Sequence, residues 1–456
     1  MKDPTKNLYR WILGSLIALL ILTIPALWTS GQMESLESLA GTMLSSLVNS
    51  ETVYILLFVC AAVMLCGLLL LIFVFLLSKP LFQKWQKEHR EKRRLSKSQS
   101  RFSGLKQMDE QLNKAPKPDY DDPELAQICV DFRNFAASKL GLYYDMADIR
   151  RFIAGLGISR LLILRGMSGT GKTSLAYAAG EYFGNSSTIV PIQPMWKERS
   201  DILGYFNEFT KRFNESKLLS KLYEAGGTDH VYITVLDEVN IARIEYYFAE
   251  FLSLLEIPDP EKRLIDVVAD SWPSDPARIV GGKLLLPENM WFIGTANNDD
   301  STFSISDKVY DRSMILDLER KCQSFDAPET PASCLSYQHL RARFDAAKAS
   351  GQLSQQGRAA LSQLDDHLTD VFRISFGNRI MRQVEEYVPV MIACGGTELD
   401  ALDDILSRKI FRKLEQVSPV MLRSQIPMLM QLLEELFGKA AMPQSEEYLN
   451  RLLNNV

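Results

Sequence analysis

Apolar side chains fall along this chain in three different patterns. Residues 11–28 and 53–77 are runs of 18 and 25 residues without a charge. At 1.5 Å per residue each is long enough to cross ~30 Å of hydrocarbon as a helix apolar on every face. Trp11 and Trp28 bracket the first run, where interfacial aromatic residues are expected. After residue 123 the runs shorten. Residues 161–164, 231–236 and 290–294 are brief apolar stretches bounded by polar ones, the pattern of strands buried on both faces. From residue 328 onward the apolar positions take helical spacing, ending in a stripe of Met428, Leu429, Leu432, Leu433 and Leu436 that predicts lid and bundle core. Pro419 and Pro427 each fit best in the first turn of a helix.

Charge orients the first two runs. Lys2, Lys6 and Arg10 precede the first; Lys79, Lys84, Lys87, Arg90, Lys92, Arg93, Arg94, Lys97 and Arg101 follow the second. The connection 29–52 has neither Lys nor Arg. The positive-inside rule then predicts a two-span hairpin in the inner membrane, both termini cytoplasmic. Pro25-Ala26-Leu27-Trp28 is a poor cleavage site, which argues for a retained span over a signal peptide. The basic run 84–101 is expected to contact anionic membrane lipids, and direct nucleic-acid binding is not supported. The expected organisation is a hairpin over 1–80, a basic segment and linker over 81–123, an α/β core over 124–327 and helices over 328–456.

Composition removes other classes. The chain has 456 residues, 46% hydrophobic and 23% charged, with six Cys and a net charge of −5. That cysteine density is too low for a disulfide scaffold, and the apolar content is too high for a disordered chain. The negative balance argues against a nucleic-acid binder by bulk charge.

The chemistry begins after residues 161–164. Gly166-Met167-Ser168-Gly169-Thr170-Gly171-Lys172-Thr173 matches G-x-x-x-x-G-K-[ST] between a predicted strand and the helical pattern that opens at Ser174. Successive backbone N–H groups at Gly166, Ser168, Gly169, Thr170, Gly171 and Ser174 can cradle phosphates at a helix N-terminus. Lys172 is expected to reach the β- and γ-phosphates and Thr173 to place its hydroxyl on Mg²⁺. Asp237-Glu238 follows the strand 231–236; Asp237 is expected to hold Mg²⁺ and Glu238 to activate the attacking water. This pairing points to hydrolysis as well as binding. Asn297, after the strand 290–294, is expected to hold the lytic water. Arg312, in a ring, would reach the neighbouring subunit's γ-phosphate.

With these motifs in order, residues 144–415 resemble the AAA+ ATPases, in the branch containing McrB, MoxR-type ATPases, midasin and dynein. The likeness rests on Gly166–Thr173, on Leu236-Asp-Glu-Val-Asn240-Ile-Ala-Arg243, on Gly294-Thr-Ala-Asn297 with Asp307–Arg312, and on Ser375-Phe-Gly-Asn-Arg379-Ile-Met-Arg382. The resemblance implies a parallel-sheet core with a helical lid, ATP or GTP with Mg²⁺, and a homo-oligomeric, hexameric ring. It makes Asn297 the first sensor, Arg312 the trans-acting finger and Arg379 or Arg382 the second sensor, with Arg243 at the interface. Residues 194–207 look like the helix-2 insert that lines the pore of such rings. Two functions remain open: remodelling or gating of a protein partner at the membrane, or the regulatory half of a McrBC-like restriction or anti-phage system with a separate effector or nuclease. No DNA-reading domain accompanies the match, so restriction itself does not carry over.

Overall fold

The computed structural model describes residues 58–59, 61–70, 72–75, 79, 100–112, 118–297 and 302–454. The chain divides into two units, residues 1–94 and 95–456. Among the described residues no helix is long and apolar enough to cross a membrane. The expected two-span location in the inner membrane is corrected on that finding. The run 11–28, residues 53–57, 60, 71, 76 and 77 of the second run, and residues 84–99 of the basic run lie outside the described residues.

The second unit opens with a segment that polarity had marked as linker. Residues 103–112 form helix α1 (Ser103–Leu112), and Arg101 and Phe102 just before it are 2% and 0% exposed. Arg101 joins the buried Asp275 through Nε at 2.9 Å and Nη2 at 2.8 Å, and also pairs with Asp270. Its guanidinium stacks 4.5 Å from the Trp272 ring. Arg101 is thus an internal ion-pair partner, which corrects its assignment to a lipid-facing run. Phe102 packs on Phe213 with ring centroids 4.9 Å apart.

Helices α2 (Leu125–Leu140) and α3 (Met146–Ile158) lead into the sheet. Its five strands are β1 (Leu161–Gly166), β2 (Thr188–Pro191), β5 (Tyr232–Asp237), β9 (Met290–Asn297) and β10 (Met314–Asp317). They are all parallel, in the order β10-β1-β9-β5-β2. Alternate side chains enter two cores. Leu162, Leu164, Ile233, Val235, Trp291 and Ile293 face α2, α3 and the C-terminal helices. Leu161, Ile163, Leu236 and Phe292 face the other layer. Burial on both faces is why these strands read as continuous apolar runs rather than alternating ones.

Helix α4 (Lys172–Tyr182) follows β1. Between β2 and β5 come α5 (Arg199–Leu203), the antiparallel hairpin β3 (Gly204–Asn207) and β4 (Arg212–Glu215), and α6 (Lys217–Ala225). Phe209 stands at the hairpin turn and is 98% exposed. Helices α7 (Ile244–Tyr247) and α8 (Ala249–Leu254) precede a second small sheet of β6 (Leu264–Asp266), β7 (Ile279–Val280) and β8 (Lys283–Leu285), ordered β6-β8-β7.

After α9 (Asp307–Tyr310) and β10 the chain is helical: α10 (Tyr337–Ser350), α11 (Gln355–Phe372), α12 (Gly377–Ala393), α13 (Glu398–Ile405), α14 (Pro419–Phe437) and α15 (Pro443–Asn454). In α14, Leu429 and Leu433 of the predicted stripe are buried with Leu422 and Ile426. Leu432 and Leu436 pack partly against the core, and Met428 is 57% exposed. Pro419 sits in the first turn as expected, but Pro427 lies inside α14. The ring is on the solvent side, where water can satisfy the carbonyl that a proline deprives of its donor.

Candidate functional site

The phosphate loop joins β1 to α4 under tight backbone constraint. Gly171, which precedes α4, has φ +93°, a left-handed conformation that favours glycine. Its carbonyl accepts the first bond of the helix from Leu175 N at 2.8 Å and a second from the Tyr144 hydroxyl at 3.0 Å. Burial pushes the Tyr144 phenol well above its ordinary pKa, so it remains a donor across the physiological range. At the other end a Cβ on Gly166 would lie 2.3 Å from the Leu318 carbonyl oxygen. Lys172 is buried, and its Nζ donates to the carbonyls of Gly166 at 2.9 Å and Met167 at 2.7 Å. The ammonium therefore lies directly beneath its own loop. Ser168 and Gly169 are exposed at the mouth.

The strand order brings the second half of the site alongside. Gly166 of β1 is in register with Asn297 of β9, and β9 also pairs with β5. Asp237, Asn297 and the loop thus share the carboxyl ends of neighbouring strands, where open α/β sheets place their ligands. Asp237 Oδ1 accepts hydrogen bonds from Thr173 Oγ1 and Thr295 Oγ1, both at 2.8 Å. Thr295 also accepts from the Glu238 N–H at 2.9 Å. Glu238 has φ +57°, unusual for a residue with a side chain, and its carboxylate is exposed. The Asn297 amide lies 3.5 Å from Glu238 Oε1.

Sequence reasoning gave no role to Thr295 or Asn240. Asn240 is 5% exposed. Its Nδ2 donates to the Asn297 carbonyl at 2.8 Å and to Thr302 Oγ1 at 2.9 Å, and its Oδ1 accepts from Asn297 N at 3.3 Å. The backbone at Asn297 is therefore clamped while its side chain faces Glu238. The available signals were a threonine inside an apolar strand and an asparagine three residues after Asp237. Neither means much until β5 and β9 are paired.

The donors fit Mg²⁺. A hydroxyl and a carboxylate oxygen touch beside the phosphate loop, an oxygen-only pair suited to an ion that keeps its remaining shell from water and phosphate. Among the described residues there is no cluster of three or more His, Cys, Asp or Glu that could form an all-protein cage.

Arg312 and Arg379 lie elsewhere. Both line a cleft of about 870 Å³ with Arg382, and among the described residues it includes neither the phosphate loop nor Asp237 or Glu238. Arg382 pairs with Glu386 at 2.9 Å. Arg243 lies over the Phe303 ring at 5.1 Å. The structure therefore gathers the loop, Asp237, Glu238 and Asn297 at one place and the two arginines at another.

No curated protein matches the chain. Two solved structures are similar at low identity. One is a candidate ATPase from Cytophaga hutchinsonii ATCC 33406, with 13% identity, a TM-score of 0.44, and coverage of 68% of this chain and 96% of that one. The other is a full-length MCM homolog from Methanopyrus kandleri, with 12% identity, a TM-score of 0.38, and coverage of 65% and 64%. Residues 161–313, from the start of β1 to the residue before β10, match the AAA domain of the dynein-related subfamily; this stretch of the chain is an AAA+ ATPase domain.

Proposed function

We propose that the chain hydrolyses ATP with Mg²⁺ at the interfaces of a ring of identical subunits and uses the cycle to remodel a protein partner. The observation that carries this reading is the connected set Thr173–Asp237–Thr295–Glu238–Asn297. These side chains lie together at the end of one sheet, which supports reading Thr173 and Asp237 as the Mg²⁺-ordering pair, Glu238 as the general base and Asn297 as the water-orienting amide. In the proposed reaction Lys172 and the loop N–H groups bind the β- and γ-phosphates. Glu238 takes a proton from water aligned by Asn297, and Arg312 of an adjacent subunit neutralises the charge developing on the γ-phosphate.

Tyr205 and Phe209, both exposed on the hairpin β3–β4, support a protein substrate, because aromatic rings offer large apolar contact area to a passing polypeptide. The base preference for ATP rests on the family match.

The test is steady-state phosphate release by the full chain against Glu238→Gln and Arg312→Ala, with ATP and GTP in parallel. Loss of turnover in both variants is expected, by roughly 10³-fold or more for the arginine. Equal turnover in all three proteins would sink the reading.

A further inference from the structure

The two arginines to which sequence assigns different roles share one partner. Arg312 Nη2 lies 2.8 Å from Glu256 Oε2, and Arg379 Nη2 lies 2.5 Å from Glu256 Oε1. Each guanidinium thus takes one oxygen of the same carboxylate. Glu256 stands on the turn after α8, Arg312 just after α9 and Arg379 in the first turn of α12. Three elements distant in sequence converge on one anion.

The cationic side of this arrangement is incompletely satisfied. Arg312 Nη1 donates to the Leu252 carbonyl at 3.0 Å, but its Nε is buried without a hydrogen-bond partner. Arg160 lines the same cleft, and its Nη1 is likewise buried and unpartnered. A single carboxylate supplies two oxygens to a site holding more guanidinium N–H donors than it can accept. A terminal phosphate supplies three oxygens and more charge, and guanidinium groups bind phosphate and carboxylate with the same fork geometry.

We propose that Glu256 is an internal stand-in for a neighbouring subunit's γ-phosphate. In the separate subunit its carboxylate holds Arg312 and Arg379 at the position they need. Ring closure around nucleotide exchanges that carboxylate for phosphate oxygens. This rests on the reading above, in which Arg312 acts in trans. Because the pairing must be given up on closure, Glu256 raises the subunit concentration needed for hydrolysis, and by linkage it weakens nucleotide-driven assembly by the same factor.

The experiment measures ATP turnover per subunit of the full chain across a protein dilution series. It compares wild type, Glu256→Gln, Glu256→Ala, Arg312→Ala and Glu256→Gln/Arg312→Ala. Both Glu256 variants are expected to reach half-maximal turnover at a protein concentration about three- to tenfold lower, the range for two partly exposed ion pairs. The double variant, whose turnover is lost with Arg312, is read instead by nucleotide-driven assembly in sedimentation. Its gain over Arg312→Ala should be smaller than that of Glu256→Gln over wild type, because only the Arg379 pair remains to be released. An unchanged midpoint in both Glu256 variants overturns the proposal. So does a tenfold fall of the plateau without a midpoint shift, which would make Glu256 a positioning residue of the assembled site. The Arg312→Ala protein separates the two readings. If it loses turnover while the Glu256 midpoints do not move, only the stand-in role fails. If it turns over like wild type, the trans reading fails and takes this one with it.

Discussion

At the scale of single residues, the site depends on one hydroxyl that carries no reacting atom. Thr295 is 2% exposed. Its Oγ1 donates to Asp237 and accepts from the Glu238 N–H, so it fixes the carboxylate proposed to hold Mg²⁺ and the backbone of the proposed base relative to one another. Thr295→Val keeps the shape and removes both bonds. Turnover should fall about 10- to 100-fold, the usual cost of losing a group that orients a metal ligand, and half-maximal activity should require more Mg²⁺. A magnesium titration of kcat checks this; unchanged kcat and Mg²⁺ dependence would reduce Thr295 to a packing residue. Lys172, Thr173, Asp237 and Glu238 stood out as candidates in the sequence because the chemistry expected of them is compressed into short contiguous motifs. Thr295 and Asn240 were not, because their meaning arises only where β5 and β9 lie side by side.

At the scale of elements, three of the five strands of the central sheet were legible, while β2, β10 and the segment before the sheet were not. Burial on both faces writes an unbroken apolar run into the sequence, so β1, β5 and most of β9 stood out. The stretch from Arg101 through α1 is polar, and its attachment depends on a few buried groups. Arg101 meets Asp275 and Asp270, Phe102 meets Phe213, and the Gly104 and Leu105 N–H groups donate to Glu215 at 3.1 and 3.2 Å. Those partners belong to β4 and to the loop between β6 and β7, so one strap ties both inserted sheets. Arg101→Ala leaves the buried Asp275 without its cation, which should cost about 3–5 kcal/mol. Urea denaturation reads this directly, and a loss under 1 kcal/mol would show that Phe102 and the Glu215 bonds hold the strap without Arg101.

At the scale of the whole molecule, the sheet and the C-terminal helices meet through charge as well as through their shared apolar core. Asp317, at the end of β10, takes Arg165 of β1 at 2.8 Å and Arg408, just after α13, at 2.7 Å. Burial raises the Asp317 pKa, but the two guanidinium groups outweigh it and hold the carboxyl at about 2. A carboxyl depressed below its unfolded value contributes stability that is complete above about pH 4 and is lost as pH falls toward 2. Wild-type stability should therefore drop through that window. Asp317→Asn should lose about 3–5 kcal/mol at pH 7 and show a shallower acid dependence, measured by denaturant titration at pH 7 and pH 3. This joint was invisible in the sequence because its members lie 152 and 91 positions apart. The separation of the phosphate loop from the arginine cleft has a genetic consequence. A subunit damaged on one surface stays sound on the other, so under the trans reading inactivating lesions would sort into two complementation groups. A mixed ring would regain activity wherever an intact loop faces an intact arginine.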